Sequence, residues 1–142
     1  MGGLNLGSHE LGHFLWAPFG ELWAVLGGSL TQCLVPVLVA CLFYRQRDFF
    51  AITIAACWLA TNLFGVATYA ADALTQQLPL VSPGGVDPEH DWGYLLTRWN
   101  KLSKARELGE AFRSAASISM AIGLVGGGWL LWRMRRLSQS AK

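Results

Sequence analysis

Leu22-Trp23-Ala24-Val25-Leu26-Gly27-Gly28-Ser29-Leu30-Thr31-Gln32-Cys33-Leu34-Val35-Pro36-Val37-Leu38-Val39-Ala40-Cys41-Leu42-Phe43-Tyr44 is a run of 23 residues without a charge, closed by Arg45 and Arg47. As a helix rising about 1.5 Å per residue it extends about 34 Å, enough to cross a hydrocarbon core of about 30 Å. Gly27-Gly28, with Gly20, Ala24 and Gly28 at four-residue spacing, gives this helix a flank that a neighbour can approach closely. Pro36 is tolerated in such a setting. Read as a membrane span, this run makes the chain an all-α integral membrane protein.

Two more runs support that reading. Residues 49–71 are apolar apart from Thr61, Asn62 and Thr68, with Asp72 at the far end. Residues 111–132 form a third span and stop at Arg133, Arg135 and Arg136. Within it Ala111, Ala115, Ser119, Gly123 and Gly127 recur every fourth residue, a ridge suited to another helix, in this chain or in a partner. Trp16, Trp23, Trp129 and Trp132 fall near span ends, as an aromatic belt does. The side closed by Arg45, Arg47, Arg133, Arg135 and Arg136 is assigned as cytoplasmic.

Composition limits the alternatives. The 142 residues suit a single membrane domain, 53% hydrophobic and 14% charged, where soluble domains carry about 25% charged residues. Mean hydropathy is +0.35. The net charge of +2 sits at the ends of apolar segments, which argues against a nucleic-acid surface. Cys33, Cys41 and Cys57 lie in apolar runs without metal-ligand or redox spacing and read as packed, reduced thiols. The first residues lack the basic stretch of a cleavable signal peptide.

The segments between the spans carry the chemistry. Residues 4–17 are a short apolar helix stopped by Pro18-Phe19-Gly20; 14 residues rise only about 21 Å, too short to span. Residues 75–91 read as a loop, marked by Pro79, Pro83, Gly84-Gly85 and Pro88, acidic at Asp87, Glu89 and Asp91, and holding His90. In residues 92–107, Trp92, Leu95, Leu96, Trp99 and Leu102 recur at helical spacing opposite Arg98, Lys101 and Lys104, which predicts an amphipathic helix in the headgroup plane. On this topology Asp72, the 75–91 loop and the Pro18–Glu21 turn share one side of the bilayer.

The short helix contains His9-Glu10-Leu11-Gly12-His13, an HExxH motif. Positions i and i+4 of a helix share a face, so His9 and His13 can present imidazoles to one metal ion, with Glu10 beside them as a base for a metal-held water. Zinc (Zn2+) in a catalytic site takes three protein ligands and keeps one position open. Asp72, His90 and Asp91 are the candidates for the third, with Glu21 more remote. Asp72 is preferred because a spanning helix holds it rigidly; His90 is the alternative, and whichever does not ligate can orient a ligand.

With these residues in view, the chain resembles the site-2 protease class of intramembrane zinc metalloproteases, in particular small bacterial membrane proteins near that class. There HExxH lies on one core helix and an aspartate on a later one completes the site. The matching residues are His9, Glu10, His13 and Asp72; Asn62-Leu63-Phe64-Gly65 and Ala73 stand where that class usually has Asn-x-x-Pro and glycine. The resemblance implies a metallopeptidase of a bacterial inner membrane that hydrolyses peptide bonds of membrane proteins or peptides in or near the bilayer. The competing expectation is a non-catalytic scaffold or assembly factor with a structural or vestigial metal, joined to a partner through Ala115, Ser119, Gly123 and Gly127.

Overall fold

The computed structural model describes residues 3–78 and 90–140. Helix α1 (Gly3–Trp16) runs into a 3-10 turn at Ala17–Phe19, because Pro18 offers no N–H to continue the ladder. Gly20 then takes φ +103°, a backbone that side chains resist, and reverses the chain into α2 (Glu21–Arg45). Glu21 opens α2 and Arg45 closes it, each at the end of the helix dipole that favours its charge. The Asp48 carboxylate accepts from the Ala51 N–H and starts α3 (Phe49–Ala71). After the described turn to Leu78 come α4 (Asp91–Arg98), a 3-10 turn at Leu102–Lys104 and α5 (Ala105–Ser140). No strand occurs among the described residues.

Helices α2, α3 and α5 are long and apolar enough to cross a membrane. Their outer faces expose Leu34, Leu38, Leu42, Ile54, Ile118, Ile122, Val125 and Trp129. Residues 79–89 of the expected 75–91 loop, with its prolines, Asp87 and Glu89, lie outside the described residues.

Two expectations change. The amphipathic stretch at 92–107 is not one helix: α4 ends at Arg98, Asn100 adopts φ +53°, and α5 starts at Ala105 instead of residue 111. The first part of its apolar face is covered, while Trp99 is exposed. Trp92, Leu95 and Leu96 are buried in a cluster with Val66, Ala70, Ala73 and Ala105, and the Trp92 indole donates to Ser29 Oγ at 3.1 Å. The polar tip of the tryptophan is thereby satisfied inside the protein.

The second change concerns the ridge of α5. Its buried residues are Ala105, Gly109, Ala116, Gly123 and Gly127, while Ala111 and Ala115 are exposed. A step of four residues turns about 400°, so a strict fourth-residue row drifts about 40° per step and leaves a straight partner. The seam uses steps of seven between Gly109, Ala116 and Gly123. Its partner is α3 of the same chain: a Cβ on Gly123 would lie 2.5 Å from Cys57 Sγ, and Ser119 donates to the Ala56 carbonyl at 2.9 Å.

Candidate metal centre

The short helix α1 lies along the first part of α2, where glycines on both helices bring the backbones together. A Cβ on Gly12 would overlap the Gly27 carbonyl, and one on Gly27 would lie 2.8 Å from the Gly12 carbonyl oxygen. One turn along, Gly28 leaves the space that both imidazoles fill. A Cβ there would sit 2.6 Å from His13 Nε2 and 2.8 Å from His9 Cε1. The floor of the site is therefore bare α2 backbone. Asn5 ties the far end of α1 to α3 by accepting from the Trp58 indole at 2.9 Å.

On this floor the rings of His9 and His13 pack edge to face, with centroids 4.8 Å apart. His13 Nδ1 is 2.8 Å from the Ala24 carbonyl oxygen, which can only accept, so Nδ1 carries a proton. His13 Nε2 then faces inward, and it meets Asp91. The Asp91 Oδ2 atom lies 3.1 Å from His9 Nε2 and 3.4 Å from His13 Nε2. With Nδ1 of His13 protonated, that pair needs either a second proton on the imidazole or a cation shared with the carboxylate. His9 is 5% exposed, and its Nδ1 has no hydrogen-bond partner among the described residues.

The electrostatics follow from the contacts. The Asp91 hydrogen bond raises the His13 pKa above its ordinary value; burial opposes this, and the Asp91 and Glu10 charges add to it. Burial pushes the Asp91 carboxyl up, but hydrogen bonds from His13 and His9 outweigh it and hold the pKa below the ordinary value.

The three residues together offer two imidazole nitrogens and a carboxylate oxygen to a metal ion. Ligand distances of about 2.0–2.2 Å in a tetrahedron put neighbouring ligand atoms about 3.3 Å apart. The two histidine–aspartate separations of 3.1 and 3.4 Å bracket that edge. The candidate ligand atoms of His9, His13 and Asp91 all lie within 4.8 Å of one another, a wider limit than that edge, so the two imidazoles draw closer when they share an ion. The Ala24 carbonyl orients His13 as a carbonyl typically orients a ligating histidine.

Asp91, and not the preferred Asp72, is the carboxylate that reaches the histidine pair. Asp72 follows α3 as its C-cap, and its carboxylate is taken up locally. It accepts from Thr75 Oγ1 at 2.6 Å and from the Gln77 and Leu78 N–H groups at 3.0 and 2.9 Å. Burial raises its pKa, yet these bonds hold it below the ordinary value. His90, the alternative, is also turned away: Nδ1 accepts from the Gly93 N–H at 3.1 Å, and Nε2 lies 3.6 Å from Asp72 Oδ2. Burial lowers the His90 pKa, against the charge of Asp72. Glu21 is exposed at the start of α2, outside the cluster. The Asn62 side chain turns back to donate to the Trp58 carbonyl at 3.1 Å, and the Asn62 backbone carbonyl accepts from Gln32 at 3.4 Å.

Two contributors have no sequence signature of their own. The Ala24 carbonyl is one. Tyr69 is the other: its phenol oxygen accepts the Asp91 N–H at 3.1 Å and its ring lies between His9 and His90. Gly28, by contrast, belonged to a visible small-residue series. No family model matches the chain, and no curated protein or solved structure matches it.

Proposed function

We propose that this chain is a zinc metallopeptidase of the bacterial inner membrane, similar in chemistry to site-2 proteases, that hydrolyses peptide bonds in or near the bilayer. One observation carries the reading. Asp91, 78 residues beyond the motif, meets both histidines of HExxH at the separations of a tetrahedral edge. His9, His13 and Asp91 would hold the ion, in a donor set that iron(II) also accepts. Zinc is favoured by Glu10, a carboxylate next to one ligand and suited to general-base work.

A bound zinc would polarise a substrate carbonyl and acidify a water. Glu10 takes a proton from the attacking water and returns it to the leaving amine. Ala24 and Gly28 lie three and seven residues into α2, so the site sits about 5–10 Å from that helix end. A peptide bond near the membrane face, in a segment already unwound, fits that depth; an intact helix shields its peptide groups by internal hydrogen bonding.

The scaffold reading rested on the ridge of α5. Gly123 and Gly127 of that ridge pack against α3 of the same chain, and Ala111 and Ala115 are its exposed members. The test compares wild type and Glu10→Gln, purified in detergent, against quenched-fluorescent peptides that carry an apolar segment. The expected result is unchanged zinc content with turnover reduced about 10²–10⁴-fold. Equal turnover by the two proteins would sink the mechanism.

A further inference from the structure

Asp91 is the first residue of an eight-residue helix, and a helix of that length does not hold itself in place. Its position must come from its surroundings, and three contacts supply it. Tyr69 of α3 accepts the Asp91 N–H at 3.1 Å. His90 caps α4, with Nδ1 accepting from Gly93 N–H at 3.1 Å and its carbonyl accepting from Tyr94 N–H at 2.9 Å. The His90 ring also packs on Tyr69, with centroids 4.3 Å apart. Because Nδ1 of His90 is an acceptor, a neutral ring carries its proton on Nε2. That nitrogen is buried, has no hydrogen-bond partner among the described residues, and lies 3.6 Å from Asp72 Oδ2.

Asp72 is in turn fixed by Thr75, Gln77 and Leu78 in the turn that leaves α3. A Cβ on Gly93 would lie 3.0 Å from Gln76 Nε2 in that same turn, so the start of α4 rests directly on it. A chain of contacts therefore runs from the rigid end of α3, through Asp72 and His90, to the backbone that carries the Asp91 carboxylate.

We propose that Asp72 and His90 are positioning residues that, with Tyr69, clamp the start of α4 and set the Asp91 carboxylate against His9 and His13. They govern metal affinity and coordination geometry without touching the metal. This rests on the metal-centre reading above. The partners that orient metal ligands commonly change affinity about 10–100-fold when removed. A helix cap alone is replaceable, since asparagine caps well. His90→Asn keeps a side-chain acceptor for Gly93 and loses the ring that faces Tyr69 and Asp72. Asp72→Asn keeps the size of the side chain and loses its charge.

The experiment uses the full chain in detergent micelles, with zinc affinity measured by competition with a chelator and coordination read from the visible absorption of the cobalt(II) form. Far-UV circular dichroism accompanies each variant. Expected are native helix content, zinc affinity about 10–100-fold below wild type for both His90→Asn and Asp72→Asn, and an altered cobalt spectrum. A merely structural cap at position 90 would instead be rescued by asparagine in both readouts. Wild-type affinity and spectrum in both variants overturn the proposal while leaving the metal centre intact. A wild-type protein that binds neither ion overturns the metal centre, and the clamp with it.

Discussion

The α3–α5 seam and the α1–α2 corner are built by the same device and put it to different uses. In both, glycine removes a side chain so that two helices approach closely. At Gly123 the vacated space is filled by Cys57 and the Thr53 carbonyl, and the result is packing alone. At Gly28 it is filled by His13 and His9, and the result is a pair of imidazoles pressed on bare backbone. The corner also holds the buried polar side chains of His9 and of Thr31, which accepts from the Trp16 indole of α1, while the seam buries Ala116. Close approach alone therefore does not mark a site. What marks one is titratable groups occupying the space that glycine leaves.

Substituting the glycines breaks the comparison in order of effect. Gly12→Ala places a Cβ on the Gly27 carbonyl, where backbone meets backbone and neither side chain can yield. It should cost about 3 kcal/mol or more and abolish metal binding, since α1 can no longer lie on α2; denaturation in mixed micelles and zinc content check both. Gly28→Ala should leave helix content near wild type and lower zinc affinity at least about 10-fold, because its Cβ would lie 2.6 Å from His13 Nε2. Gly123→Ala should do the reverse, costing about 1–3 kcal/mol through overpacking while the folded fraction binds zinc as wild type does. Gly128→Ala, with nothing within 4 Å of its Cβ, is the control and should be neutral or slightly stabilising. If Gly28→Ala lowered stability and Gly123→Ala lowered zinc affinity, the contrast would be gone.

The sequence spoke clearly where composition along one helix decides the outcome. Residues 49–71 coincide with α3, and 22–44 and 4–17 differ from α2 and α1 by one residue at each end. Helix α5 runs beyond the apolar span of residues 111–132 at both ends. Arg106 and Glu110 pair at 3.1 Å before the apolar run, and Arg133 and Arg136 stack on Trp129 and Trp132 beyond it. Such contacts are at home in a helix that extends past the hydrocarbon.

The site was half legible. His9, Glu10 and His13 share one turn, so their spacing is local information. Asp91 is brought in by Tyr69, by the His90 cap and by burial of Trp92, none of which leaves a period in the sequence. Asp72 attracts attention in the sequence for the same reason that it stands apart from the histidine pair: a carboxylate at a helix end serves the backbone N–H groups beyond it.

The most direct test of the account is zinc bound per chain after equilibration with the ion and removal of excess, in wild type, Asp91→Ala and Glu21→Ala. Glu21 is an exposed carboxylate outside the cluster and serves as the matched control. Expected are one zinc per chain in wild type and Glu21→Ala and close to none in Asp91→Ala, with helix content alike in all three. Equal zinc in Asp91→Ala and wild type, or none in wild type, would contradict the account.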